Sequence, residues 1–363
     1  MRYVLLLGPF LLALSLRAQT PVPLLTPTDR FLVFEDGTFT DLEARKPQAV
    51  FQNGDRLAYI SDGGDLKLFD HGRITVLQRG ETVEMKGSRH QLAWKVGPSL
   101  RIPKGDGSTT LCHGAGSFFV TDSLIVYYDQ LQRTVNAYWH DQVVPIADAL
   151  MVDDVPGLQV GANLATLFDP AGRRVLLFQG GRTSILLDGV SEAPIAVGCD
   201  VVAYVDERDG SFHVMDKGQR LDLEAFPPTS FKAGSGLVAY ITNTGAFRCY
   251  VNGNIYPLGD FTPSDYWVQD SVLLFVDQGQ LKAFVNDRIE VVERFLPETW
   301  AICGNTIAYL DINRQPRLFR LGVRTLVSKE AGVKKFDLYP GALAYRSNSG
   351  VNKVWWRGRL YER

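Results

Sequence analysis

Short apolar runs of four to six residues, punctuated by Gly, Asn and Asp, follow one another along almost the whole chain. The runs are rich in Val, Ile, Tyr, Phe and Trp, which predicts strands. After the first eighteen residues no apolar face is kept at helical spacing over three turns. Residues 264–293 show the unit. Tyr266-Trp267-Val268 is a first run and Asp270-Ser271 a turn. Val272 to Val276 is a second run, followed by the turn Asp277-Gln278-Gly279. Leu281 to Val285, the turn Asn286-Asp287 and Ile289 to Val292 complete it. The pattern predicts four strands, a to d, joined by three hairpins. Two-residue hairpin loops need positive φ, which Gly, Asn and Asp supply at least steric cost.

The second run recurs as a small residue flanked by large ones. Leu57-Ala58-Tyr59, Leu92-Ala93-Trp94, Val202-Ala203-Tyr204, Val238-Ala239-Tyr240, Ile307-Ala308-Tyr309 and Leu343-Ala344-Tyr345 are its clearest forms. Its centres fall at 58, 93, 126, 165, 203, 239, 274, 308 and 344. A period of 33 to 39 residues marks a repeat architecture. A four-stranded antiparallel meander repeated radially is the blade of an all-β propeller. The Ala fits that architecture, because a small residue lets neighbouring sheets approach while an aromatic ring fills the gap. The rival, a β-solenoid, has shorter repeats without hairpins. Nine blades are expected, within a range of eight to ten. The count does not balance: Phe31 to Leu42 reads as a tenth c–d hairpin against nine a–b hairpins. That hairpin is expected either to join the last blade or to lie outside the ring.

Two units, Gly198 to Leu223 and Gly234 to Leu258, resemble the repeats of TolB-type propellers. Both have an apolar-Ala-aromatic strand, an Asp/Ser/Gly turn, a second strand, a Gly turn and a Leu. The resemblance extends over residues 49–363 in rhythm. The leading Ser-Pro-Asp-Gly is missing, and residues 84–150 diverge. It implies a periplasmic or secreted propeller that binds other macromolecules, and it carries no catalytic residue onto this chain.

The first residues read as an export signal: Met1-Arg2, then an apolar run from Val4 to Leu14 that is too short to span a bilayer. Cleavage is expected after Ala18, with Ser15 the alternative. The Ala18-Gln19 junction resembles exported proteins of Bacteroidota. The expected organisation is a signal over 1–18, an N-terminal segment with one c–d hairpin over 19–48, and a propeller over 49–363. The formal net charge of −2 becomes −4 once Arg2 and Arg17 are removed. A weakly acidic chain without a basic run is not built for nucleic acid or an anionic membrane surface. Cys112, Cys199, Cys249 and Cys303 fall in different repeats and are expected to be separate small buried side chains.

The search for chemistry yields little. His71, His90, His113, His140 and His213 are scattered, without the i,i+4 helical spacing of a zinc motif. His71 and His140 sit at equivalent c–d turns, where a turn role is expected. Acidic residues recur at the b–c turn: Asp62, Asp129, Asp169, Asp206, Asp277 and Asp311. Asp62-Gly63-Gly64-Asp65 and Asp206-Glu207-Arg208-Asp209 offer oxygens to calcium, but the six or more it takes are not gathered locally. Asp side chains bonding backbone amides in turns account for the repetition. No nucleophile-elbow, phosphate-loop or dinucleotide motif is present, and the Gly-rich stretch 113–117 runs into a strand.

No cofactor, metal or catalytic residue is therefore expected. The candidate binding residues are Trp267 and Trp300, on a strands of consecutive blades, and Asp153 and Asp154, in the longest d–a connection. The function expected is non-catalytic protein–protein interaction in the periplasm or cell envelope. One specific form is a soluble subunit of an outer-membrane translocon, such as a plug-like component of a type 9 secretion channel. The alternatives are a carbohydrate or small-molecule binder with an aromatic-lined axis, and a glycan hydrolase or lyase with carboxylates converging there.

Overall fold

The computed structural model describes residues 20–80, 82–105, 107–148, 155, 157–191 and 193–363. They form ten antiparallel sheets in chain order. Nine are four-stranded meanders with neighbours in the order a-b-c-d: blades 2 (49–78), 3 (82–112), 4 (115–147), 5 (159–188), 6 (195–224), 7 (230–259), 8 (265–293), 9 (300–326) and 10 (336–362). Among the described residues no helix is long and apolar enough to cross a membrane. The expected signal over 1–18 lies outside the described residues.

The unbalanced N-terminal hairpin is a blade of its own. Phe31–Glu35 and Thr38–Glu43 pair with each other, and Val22–Leu25 pairs with the first of them. Val22 faces Phe34 as Leu57 faces Phe69 in blade 2, so Val22–Leu25 is a b strand. The ring therefore has ten blades, the top of the expected range rather than its centre. The hairpin neither joins the last blade nor lies outside. Pro23 stands where seven of the other nine b strands carry Ala, which hides this strand from a search for the recurring phrase.

Blade 1 closes the ring. Val22, Leu24, Leu32 and Phe34 pack against Ala342, Ala344 and Val354 of blade 10. On its other side Phe31 and Val33 pack against Leu57, Tyr59 and Phe69 of blade 2. In blade 2 the Ile60 carbonyl accepts the Gln48 amide at 2.8 Å. The matching carbonyl in blade 1, on Leu25, accepts Asn352 Nδ2 from blade 10 at 3.0 Å. Pro23, on the same side of the strand, has no N–H to be paired there. Arg363 adds an ion pair to Asp41 at 2.7 Å.

The Ala-aromatic phrase has a geometric meaning. The buried Ala of one blade lies in the same apolar cluster as the aromatic of the next: Ala58 with Trp94, Ala93 with Tyr127, Ala203 with Tyr240, Ala239 with Phe275, and Ala308 with Tyr345. Successive b-strand side chains point to opposite faces, so one blade presents a hole on one side and a knob on the other. Burying each ring contributes about 2–3 kcal/mol. The outer d strands are blunted. In blades 1 to 8 the d strand carries a register shift opposite the start of c. Such bulges keep an edge from pairing with another chain.

Candidate functional site

The two ends of the ring differ. One end carries the a–b and c–d turns, the other the b–c and d–a loops. At the turn end, successive blades are tied backbone to backbone near the axis. Ser123 N donates to Ala162 O, Asn163 N to Cys199 O, Cys199 N to Gly234 O and Ser235 N to Asp270 O. Approach is so close that a Cβ on Gly198 would stand 2.1 Å from the Gly234 carbonyl oxygen. Asp122 accepts the Arg89 amide at 2.9 Å, and Asp270 accepts the Gly304 amide at 2.7 Å. The Arg89 guanidinium lies 4.0 Å from Asp270, linking blades 3 and 8 across the axis. Cys199 and Cys303 lie near this pair, and all four thiols are free. Burial pushes the Cys199 and Cys303 thiols up from their ordinary range.

The c–d turns have the geometry their residues predict. His71 and Gly72 have φ of 45° and 82°, and His140 and Asp141 of 47° and 62°. Both histidines are turn residues, as expected. Four of the six b–c aspartates, Asp129, Asp169, Asp206 and Asp311, accept amides of their turns, while Asp62 and Asp277 meet Arg45 and Lys282. Asp129 accepts the amides of Leu131 and Gln132, Asp169 those of Ala171 and Gly172, and Asp311 those of Asn313 and Gln315.

The loop end is less closed. Leu131 and Ile312 in b–c loops and Phe226 and Leu296 in d–a loops are large, apolar and exposed. A cleft of about 910 Å³ opens at the ring closure, with Leu24, Leu25 and Val50 in its wall and Lys46, Lys334 and Lys335 at its rim.

The densest polar constellation of this end is in blade 6. In six blades the c-strand residue paired with the b-strand position after Ala or its counterpart is a cation: Lys67, Arg101, Arg248, Lys282, Arg317 and Lys353. Five of them meet a carboxylate: Lys67 with Glu43 at 2.7 Å, Arg248 with Glu224 at 2.9 Å, Lys282 with Asp277 at 2.7 Å, Arg317 with Asp311 at 2.7 Å and Lys353 with Glu330 at 3.1 Å. In blade 6 this position, opposite Tyr204, is His213. Its side chain is 2% exposed. Nδ1 is 2.8 Å from Asp222 on strand d, while Nε2 is 2.6 Å from Ser211 Oγ and 2.8 Å from Arg220 Nη2. Ser211 Oγ also bonds Asp209, and Arg208 grips Asp206 through Nε at 2.9 Å and Nη2 at 2.6 Å. Those guanidinium hydrogen bonds outweigh burial and draw Asp206 down to about 2. Asp209 is also lowered, by the Ser211 hydroxyl and amide. A pocket of about 340 Å³ opens over Asp209, Ser211, His213, Arg220 and Asp222.

Ser211, His213 and Asp222 stand in the order nucleophile, base, orienting acid. The surroundings work against that use. Arg220 occupies the Nε2 lone pair that would take the serine proton, and Asp209 competes for the same hydroxyl.

Ten sheets, each tied to its neighbours and closed between first and last, are matched by one family description, 10-bladed beta propeller domain, over residues 15–361. The chain belongs to that family. No curated protein matches it. Among solved structures, the ten-bladed propeller is similar to the computationally designed Ika8 protein, at 12% identity and TM-score 0.37, over 77% of this chain and 98% of that one. It is similar to PorZ, an essential bacterial surface component of the type-IX secretion system of Porphyromonas gingivalis, at 12% and 0.32, over 80% and 46%. Kluyveromyces lactis Hsv2 gives 11% and 0.36, over 72% and 95%. These likenesses concern the fold.

Of the sequence candidates, the propeller brings Trp267 and Trp300 together, with ring centroids 4.7 Å apart and edge to face. They pack beside Val276, Ile302 and Tyr309, between blades 8 and 9. Asp153 and Asp154 lie outside the described residues. Sequence reasoning passed over His213, because it sought histidines at helical spacing. Alignment of the repeats on the c strand singles it out as the departure from a run of lysines and arginines.

Proposed function

We propose that this propeller is an exported, non-catalytic scaffold that binds protein partners through its loop end. The observation that carries the reading is the contrast between the two ends. The turn end spends its backbone groups on ties between blades. The loop end sets Leu131, Phe226, Leu296 and Ile312 in solvent, on blades 4 to 9 and the loops between them. Large apolar side chains spread over one end are suited to be anchors in a contact whose rim is polar. Export rests on the signal pattern of residues 1–18, and the periplasm or cell envelope is the place of work in this reading. The TolB-like rhythm of Gly198 to Leu223 and Gly234 to Leu258 supports macromolecular binding. A soluble subunit of an outer-membrane secretion complex is its specific form.

The test is affinity capture from envelope extract of the native host, with the wild-type chain and a Leu131→Ser, Phe226→Ser, Ile312→Ser variant as paired baits. The reading expects a defined partner on the wild type that the folded variant loses. Equal capture by both baits, or no specific capture by either, overturns it.

A further inference from the structure

We propose that blade 6 carries a divalent transition-metal site, best suited to Zn²⁺, formed by His213 Nε2 and the carboxylates of Asp206 and Asp209. One ligand atom from each of the three residues falls in a group no wider than 4.8 Å. Modest closure brings them to the span of a bound ion, whose ligands stand about 2.0–2.2 Å from zinc.

Hydrogen-bond bookkeeping fixes the imidazole in the state that ligation needs. Asp222 only accepts, so Nδ1, 2.8 Å away, carries the proton. Arg220 only donates, so Nε2, 2.8 Å from its Nη2, presents a lone pair. The lone pair is thus held by Arg220, which a metal would displace, and a carboxylate holds the opposite nitrogen. That is the outer-shell arrangement that orients metal-binding histidines and raises their basicity.

The repeat supplies an independent argument. Where six other blades place Lys or Arg, blade 6 places a neutral ring, yet it gathers the carboxylates of Asp206, Asp209 and Asp222 around it. The cation is missing from the strand and is replaced from outside by Arg208 and Arg220, whose side chains are 61% and 43% exposed. Both can swing into solvent when an ion takes their place. One imidazole and two carboxylates suit zinc; calcium seeks six to eight oxygens and gains little from a ring nitrogen. Three protein ligands leave a coordination position toward the pocket for water or for a donor from a partner.

The test is calorimetric titration of the chelator-treated propeller with Zn²⁺ and, separately, Ca²⁺, with Co²⁺ absorption as the report on ligand type. One Zn²⁺ per chain is expected, with micromolar or tighter affinity and selectivity over Ca²⁺. Asp209→Asn, at the exposed rim, and His213→Arg, which restores the residue type of the other blades, should each abolish this binding without loss of fold. Asp222→Asn, which touches no ion, should weaken it by about 10- to 100-fold with an unchanged melting temperature. No Zn²⁺ binding below millimolar, equal affinity for Ca²⁺, or binding unaltered in both Asp209→Asn and His213→Arg overturns the proposal.

Discussion

Blades 6 and 7 are neighbours built from nearly the same text. Each has Val-Ala-Tyr in its b strand, with the Ala buried and the Tyr packed toward the blade before it. They part at one c-strand position. Arg248 in blade 7 meets Glu224 at 2.9 Å, and Tyr240 donates to the same carboxylate at 3.1 Å. His213 in blade 6 turns instead to Asp222, Ser211 and Arg220. The b–c turn differs with it: Asp206 in blade 6, Thr242 in blade 7. The shared residues make the blades and their contact. The differing ones decide whether the rim of a blade is a closed ion pair or a polar pocket.

The contact between these two blades should be the most sensitive point. Gly198→Ala puts a methyl group 2.1 Å from a backbone oxygen of blade 7, which cannot move without shifting the next turn. Overpacking against backbone should cost about 3 kcal/mol or more, read as a fall in denaturation midpoint. Gly218→Ala in the c–d turn of blade 6 meets nothing within 4 Å but keeps φ at +77°. Its cost is backbone strain alone, about 1 kcal/mol. Equal losses in the two variants would mean that blade-to-blade approach is not what demands glycine at 198.

Much of this contact was legible in the chain. The recurring apolar-Ala-aromatic phrase and its variants located nine b strands because most blades meet through the same hole and knob, and the Gly, Asn and Asp pairs located the hairpins because positive φ restricts the choice of residue. The tenth blade was not legible as a blade, since Pro23 replaces the Ala on which the phrase depends. The blade 6 pocket was invisible for a different reason. Asp206, Asp209 and His213 are close in sequence, but Asp222 reaches His213 only through the pairing of strands c and d, and that register needs the d-strand bulge to be known. Trp267 and Trp300 were found together by their equal offsets in consecutive blades, although offset alone does not say that each ring packs on the other.

Acid should separate the two blades next. Asp206 is held down to about 2 by Arg208, against an ordinary value near 4 in the unfolded chain. A depressed carboxylate contributes stability that is complete above about pH 4 and lost as pH falls toward 2. Blade 7 has Thr242 at that place and no carboxylate to protonate there. Amide exchange between pH 4.5 and 2.5 should therefore accelerate in the b–c hairpin of blade 6 before that of blade 7, and Asp206→Asn should remove the difference. Identical acid profiles in wild type and Asp206→Asn would show that the Arg208 pair does not hold the hairpin.

A smaller effect tests the closed side of the comparison. Tyr240→Phe removes one of two donors to Glu224 and should cost about 1 kcal/mol. Combined with Arg248→Ala, the loss should exceed the sum of the single changes, because the last donor to a half-buried carboxylate is then gone. Strict additivity would mean that solvent already satisfies Glu224.

The smallest stability effect belongs to the exchange that matters most for function. Arg248→His gives blade 7 the imidazole of blade 6, with Glu224 keeping its bond from Tyr240, so a loss of at most about 1 kcal/mol is expected. It should not give blade 7 any affinity for Zn²⁺. A ring nitrogen alone is a weak ligand, and blade 7 has Thr242 and Pro257 where blade 6 has Asp206 and Asp222. Glu224, the carboxylate beside that position, is already held by Tyr240, and the counterparts of Asp206 and Asp222 are missing. Zinc binding by the Arg248→His, Asp209→Asn double variant, in which the blade 6 site is blocked, would show that the histidine carries the site by itself. Its absence would show that the pocket of blade 6 is a joint property of the c strand, the d strand and the b–c turn, acquired in one repeat without disturbing the frame it shares with the other nine.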